Sequence, residues 1–357
     1  MLVFTNRHTT NATGPAAFDT HFTPRATALS CADVARAPGA GFAVQSLQSG
    51  LSDDAALHTL VPLFAGPTPL LVYLHGNNNS PAACFERCAR LEEIYGVAAI
   101  GFSWPSEGLQ ADGSEPAAQP NGADVSGGEN ELATVTAGNA GQGGIQRKIR
   151  RYQQAKLNAQ DGIEALARFL RLVATARLYA NQQPVTLAAH SLGAHFLQYT
   201  IDVNGAAESL GAMHHVALLA ACCRASGHAD WLARLHPRDR VFVTYNRDDL
   251  VLFGAYIADR NQLKLGADPG PKLSSPKVRY ISFTNAQNGF GGHGYFVRDA
   301  GSDVPAKPKK LFGRIFSSQA DLQGSEIGNP RKVYPLGCDA DGLTCYMANP
   351  QPAGEGG

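Results

Sequence analysis

The sequence predicts an α/β chain: a mostly parallel central sheet, helices on both faces, and an antiparallel edge on the N-terminal side. Three observations predict it. Short, continuous apolar runs such as LLVYLHG (70–76), PVTLAAH (184–190) and RVFVTYN (240–246) alternate with longer stretches of helical period. Strands apolar at every position are buried on both faces, as parallel strands are. AAHSLGA (188–194) joins one such strand directly to a helical pattern.

Taken in order, LVFTNR (2–7), FAVQSL (42–47) and LHTLVPL (57–63) read as strands that extend the sheet at its antiparallel edge. LLVYLHG is β-rich and ends in glycine. Residues 80–95 then read as a helix, with Ser80 as N-cap and Pro81 at the first helical position. VAAIGFSWP (97–105) is the next strand. One long helix covers about 145–179, with Ile163, Leu166, Phe169, Leu170 and Val173 on its apolar face. PVTLAAH is a strand and 192–203 a helix. HVALLAACC (215–223), RVFVTYN and VRYISFTN (278–285) complete the strands. A single domain over 1–300 is expected, followed by a partly irregular extension over 301–357.

Residues 106–144 break the pattern. They are rich in Gly, Ala, Ser and Asn and nearly devoid of large apolar residues, so they cannot bury enough surface to fold alone. A loop that long is usually functional or disordered. It follows the carboxyl end of a strand, where open α/β sheets bind ligands, and it reads as a flap or lid, or as plain disorder.

Formal net charge is zero over 357 residues, which argues against nucleic acid, whose affinity comes mainly from phosphate neutralisation. No apolar run of membrane-spanning length occurs. The start, MLVFTNRHTT, lacks a basic region followed by an apolar one. The cytoplasm is therefore the default compartment, with export by a route lacking a cleaved signal left open. The seven cysteines (31, 84, 88, 222, 223, 338, 345) show no zinc-ligand spacing. They read as buried free thiols, although Cys338 and Cys345 could bridge a short tail loop.

Ala189-His190-Ser191-Leu192-Gly193 has the form of a nucleophile elbow, with alanine at the first glycine position. The sharp turn needs small residues two before and two after the serine. The helix N-terminus that follows places positive backbone dipoles near a developing charge. An oxyanion hole would take one N–H from Leu192 and one from the loop His75-Gly76-Asn77-Asn78-Asn79, where Asn77 is the natural donor. Gly76 lets that loop turn closely; an Asn-rich turn with no such role is the plain alternative. A carboxylate should follow at the end of a later strand, and RVFVTYNRDDLVL offers Asp248 and Asp249. The base should follow the acid. Only one histidine lies beyond residue 249: His293, in the glycine-rich NGFGGHGYF. His190 and His195 read as packing or structural residues, with His190 also a candidate beside the substrate. Trp104 reads equally as a pocket wall or as core. Gly289 to Gly294 matches G-x-G-x-x-G literally, but no helix opens there, so no dinucleotide site is expected.

These residues together resemble the α/β-hydrolase superfamily, and more closely a bacterial group of α/β hydrolases of unknown function. The resemblance rests on LVFTNR, on His75-Gly76-Asn77-Asn78-Asn79-Ser80, on Phe102-Ser103-Trp104-Pro105-Ser106, on the helix RYQQAKLNAQDGIEALARFL and on AHSLG. It rests too on Tyr245, Asn246, Asp249, Val251 and Leu252, which favours Asp249 over Asp248 as the acid. It covers about residues 1–7 and 60–296, and the insertion and the tail depart from it. It implies an α/β-hydrolase fold and a Ser191, His293, Asp249 triad that needs no cofactor or metal.

The expected activity is hydrolysis of a small-molecule or lipid ester through an acyl-enzyme. Three alternatives share these residues: a lipase or phospholipase, including a secreted effector; acyl transfer or thioester cleavage; and a non-catalytic binding module. The stretch 106–144 lacks the apolar face of an interfacial lid helix, so a small or medium acyl ester is the first expectation. The basic stretch QRKIRRYQQAK (146–156) is either a surface for an anionic head group or a solvated helix face.

Overall fold

The computed structural model describes residues 1–37, 39, 41–117, 142–180, 183–203, 205–286, 292–298, 303–319, 337–338 and 343–347. The strands are β1 Leu2–Thr5, β2 Arg7–Thr9, β3 Phe18–Phe22, β4 Ser30–Arg36, β5 Phe42–Gln48, β6 Leu70–Leu74, β7 Ala98–Ser103, β8 Val185–His190, β9 His215–Leu219, β10 Arg240–Tyr245, β11 Val278–Ser282, β12 Gly337–Cys338 and β13 Thr344–Tyr346. The helices are α1 Asp53–Ala65, α2 Pro81–Tyr95, α3 Gln142–Asp161, α4 Ile163–Tyr179, α5 Leu192–Thr200, α6 Ala206–Leu210, α7 His228–Leu232, α8 Leu250–Ala258 and α9 Ala306–Phe316.

Among the described residues, eleven strands form one sheet in the order β12-β13-β11-β10-β9-β8-β6-β7-β1-β4-β5. From β13 to β1 every pairing is parallel. β4 and β5 are antiparallel at one end and β12 at the other. β6, β8 and β9 are buried at every residue, so both faces are covered, as their unbroken apolar sequences require. One helical group is α2 with α9; the other links α1, α3, α4, α5, α6 and α8.

At the antiparallel edge the expectation is half met. FAVQSL is the outer strand, β5. LVFT is β1, antiparallel to β4 but parallel to β7. LHTLVPL is not a strand but part of α1. Ser52 caps that helix by accepting from the Ala55 N–H, Asp53 and Asp54 favour its first turn, and Ala56, Leu60 and Phe64 are its buried stripe. β5 has a bulge opposite Asp33 and Val34, and its Val44 N–H donates to the Thr13 carbonyl at 2.9 Å.

The single helix expected over 145–179 is two, α3 and α4, divided at Gly162. A Cβ there would lie 2.9 Å from Phe196 Cζ and 3.1 Å from Asn6 Nδ2. The chain bends where only glycine lets α5 approach. The tail also differs from a loose extension. Leu311, Phe312, Ile315 and Phe316 of α9 join the core, and β13 continues the parallel sheet. Cys345 is disulfide-bonded, with the Cys338 backbone opposite it in register, so of the two readings open for the tail cysteines the free thiol does not hold for Cys345. Cysteines 31, 84, 88, 222 and 223 are free and buried.

Of the 106–144 insertion, residues 106–117 and the start of α3 are described; the expectation of a flap or lid over 118–141 lies outside the described residues. Its described start is pinned to α3. Asn158 Nδ2 donates to the carbonyls of Pro105 and Leu109, both at 2.8 Å. Glu115 pairs with Arg147 and Arg151.

Candidate active site

Ser191 occupies the turn between β8 and α5, with φ +52° and ψ −119°. A non-glycine residue in that region is strained by about 1–3 kcal/mol and needs a surrounding structure that over-determines it. Here the end of β9 does so: the Ser191 N–H donates to Leu219 O and the Cys222 N–H donates to Ser191 O, each at 2.9 Å. Two glycines permit the close approach of the β6 loop. A Cβ on Gly193 would lie 2.6 Å from the carbonyl oxygens of both Leu74 and His75, and one on Gly76 would lie 2.8 Å from Ser191 Cβ. The small residue two after the serine thus meets the neighbouring strand, as the sequence pattern requires.

The His75–Asn79 loop is held from beneath. The Trp104 N–H donates to His75 Nε2 at 3.1 Å, which puts the imidazole proton on Nδ1, where it donates to Gly76 O at 3.0 Å. Burial pushes the His75 pKa down to about 3, so the ring is neutral. Trp104 Nε1–H donates to His75 O at 3.0 Å, and the two rings stack 5.6 Å apart. Trp104 is fully buried and also packs on Phe196; of the two readings it was open to, this burial fits core. The N–H groups of Asn78 and Asn79 donate to Ser106 O (2.7 Å) and Ser106 Oγ (2.9 Å). Those of Asn77 and Leu192 have no acceptor among the described residues. Both belong to segments that close on Ser191.

Asp249 is the N-cap of α8. One carboxylate oxygen accepts from the Leu252 N–H at 2.9 Å, and the other lies 2.7 Å from His293 Nδ1. Asp249 and His293 are both buried. Burial raises the Asp249 pKa above the ordinary carboxylate value, against the opposing effect of His293 and the backbone bonds. Asp248, the alternative acid, is exposed and accepts instead from the Asn285 N–H at 3.1 Å. The His293 ring lies 4.7 Å from that of His190, the residue before Ser191. Burial holds His190 far below the usual histidine range, and the neighbouring His293 adds to this. Ser191, Asp249 and His293 therefore follow the carboxyl ends of β8, β10 and β11; the carboxylate and the imidazole are joined directly, and His190, next to Ser191, packs between His293 and Phe296.

Residues to which the sequence assigned no role of their own fix these loops. Asn246, fully buried, donates from Nδ2 to Gly292 O at 2.9 Å and accepts from the Asp248 N–H at 3.1 Å. It ties the histidine's loop to the carboxylate's. A Cβ on Gly292, where φ is +66°, would lie 2.5 Å from Asn246 Nδ2. Tyr295 Oη lies 2.6 Å from Thr244 Oγ1 and accepts from the Ala220 N–H. The strand-end position of Asn246 and the aromatic after His293-Gly294 were the available signals. The literal G-x-G-x-x-G stretch has its first residues outside the described residues, and Gly292 to Gly294 carry the His293 turn.

One cluster among the described residues has metal-ligand character: His214, His215 and Asp239, at the amino end of β9. Both nitrogens of His215 are engaged there, with Ile315 O at 3.0 Å and Asp239 at 2.9 Å, so the cluster serves to fasten α9 to the sheet. Comparison with protein-family models, with curated proteins and with solved structures found no match. The functional reading therefore rests on this geometry and on the sequence motifs.

Proposed function

We propose that the protein is a serine hydrolase of the α/β-hydrolase type that cleaves carboxylic esters through an acyl-enzyme. The observation that carries this reading is the buried Asp249–His293 pair, 2.7 Å apart, with the His293 ring against His190, the residue before a serine held at positive φ on a strand-to-helix turn. Ser191 Oγ attacks the ester carbonyl while His293 Nε2 takes its proton and then returns it to the leaving alcohol. Asp249 keeps the imidazole proton on Nδ1 and stabilises the imidazolium. The N–H groups of Leu192 and Asn77 bind the oxyanion, each worth about 3 kcal/mol in comparable sites. Water, deprotonated by His293, then releases the acid and restores the serine.

Reaction with a fluorophosphonate probe, together with p-nitrophenyl esters from acetate to palmitate, tests the proposal. Labelling and turnover that Ser191→Ala and His293→Ala both abolish support it. A serine that neither labels nor turns over overturns it in favour of a binding module.

A further inference from the structure

α8 is apolar on every side. From Leu250 to Ala258 it carries no charged residue and one polar side chain, Tyr256. Val251, Leu252, Ala255 and Ala258 are buried. Leu250, Phe253 and Ile257, spaced i, i+3 and i+7, lie along the other side and are 41–48% exposed. A helix that is apolar all round is ordinarily buried all round, yet this one shows a whole side to solvent. Two exposed leucines continue that side. Leu157 of α3 borders the same cavity as Ala258 and Arg260, and Leu263 borders one with Arg224. Seven large apolar side chains are exposed among the described residues, and only Leu178 and Tyr179, at the end of α4, lie elsewhere. Exposed apolar residues scattered singly need no explanation; a group gathered on one face does.

The border of this face is basic at the carboxyl-terminal end of α8. Arg224 and Arg260 are exposed, and Lys156 precedes Leu157. Arg224 donates to Gln262 Oε1, a neutral acceptor, at 3.0 and 3.2 Å, which leaves its charge uncancelled. The carboxylate among these groups, Asp259, is buried and already holds Lys156 and Lys264. At the other end of α8, Arg247 pairs with Asp268 at 2.9 Å and Asp248 is exposed.

Apolar side chains bordered by arginine and lysine are the composition of a surface that lies on anionic lipid. A second copy of the chain fits less well. Two copies meeting about a twofold axis bring the same patch to the same patch, and so bring their arginines together. Among the described residues no helix is long and apolar enough to cross a membrane, so the contact is with the surface.

We propose that the exposed side of α8, with Leu157 and Leu263, docks on an anionic phospholipid surface. Phe253 and Ile257 enter that surface, and Arg224 and Arg260 meet its head groups. The proposal stands apart from the serine-hydrolase reading, and its test needs no activity.

The full chain is sedimented with sucrose-loaded vesicles, either of phosphatidylcholine alone or of equal parts phosphatidylcholine and phosphatidylglycerol. The wild-type chain is expected to bind the mixed vesicles at least about tenfold more tightly than the neutral ones, and less tightly as salt is raised. Phe253→Ser with Ile257→Ser, and separately Arg224→Gln with Arg260→Gln, are each expected to weaken that binding at least about tenfold. Leu178→Ser with Tyr179→Ser, a comparable exposed pair at the end of α4, is expected to change nothing. Urea midpoints show that each variant is folded. Phe253→Trp adds a test that removes no apolar group: its emission should be quenched by brominated phosphatidylcholine in the mixed vesicles, and that of Leu178→Trp should not. The native Trp104 and Trp231 are buried. No binding to the mixed vesicles, equal binding to the neutral ones, or an equal loss in the α4 control overturns the proposal. A chain that instead dimerises without vesicles, through a contact that Phe253→Ser with Ile257→Ser abolishes, assigns the face to a second copy and overturns it too.

Discussion

Replacing Asp249 by asparagine separates what the carboxylate does for the fold from what it does for chemistry. One of its oxygens caps α8 through Leu252, and the other meets His293 Nδ1 at 2.7 Å. Asparagine keeps the capping oxygen but presents its amide hydrogens to Nδ1. That nitrogen must then accept, which moves the imidazole proton to Nε2, the atom that has to receive the serine proton. Loss of a charge-assisted hydrogen bond costs about 2 kcal/mol, and relief of a buried carboxylate whose pKa is already raised by burial offsets much of it. Stability is expected to change by no more than about 2 kcal/mol, whereas kcat falls by about 10⁴, or about 5.4 kcal/mol of barrier. Urea melts and hydrolysis of p-nitrophenyl butyrate, with Asp248→Asn as comparison, measure the two effects. An Asp249→Asn protein within tenfold of wild-type kcat, or an Asp248→Asn protein that loses more, would refute the assignment of the acid.

Gly193→Ala brings a methyl to within 2.6 Å of two backbone oxygens of β6 and its loop; it is expected to cost about 3 kcal/mol in a urea melt and to part the Leu192 and Asn77 donors, and a wild-type midpoint would count against that packing. Burial lowers the pKa of both His75 and His195 to about 3. The unfolded chain takes up these protons near pH 6.5, so stability falls as pH drops from about 6.5 towards 3, by about 2.7 kcal/mol per histidine at pH 4.5. A denaturation midpoint that stays flat between pH 6.5 and 4.5 contradicts this. Lys264→Met removes a buried partner of Asp259; the melting temperature should drop with a loss of about 3 kcal/mol, and Asp259→Asn in the same chain should recover part of it.

What could be read from the sequence follows from how local each signal is. β6, β8, β9 and β10 are apolar at nearly every position, so their burial is written in consecutive residues. LHTLVPL misled because the seven residues exclude Ser52, Asp53 and Asp54, and the spacing of Ala56, Leu60 and Phe64 emerges only over a longer window. β4, with polar and apolar residues mixed, is a strand because β1 and β5 flank it, a fact of tertiary pairing. The order Ser191, Asp249, His293 was legible because a single histidine follows residue 249. The bonds that set their geometry were not. Asn246 reaches Gly292 across 46 residues and Ser106 reaches Asn79 across 27, separations at which no local pattern survives.

The outer strand β5 bears on how the protein behaves when concentrated. Its residues, FAVQSLQ, include no charge and no proline, the two commonest deterrents to edge-to-edge pairing. What blunts this edge is the bulge opposite Asp33 and Val34 and the bond from the Val44 N–H to Thr13. The short segment around Thr13 therefore works as a guard on an otherwise adhesive border. Trimming it would leave the distant Ser191 turn in place and make the chains stick to one another, so solubility would fail while the Ser191 turn kept its shape.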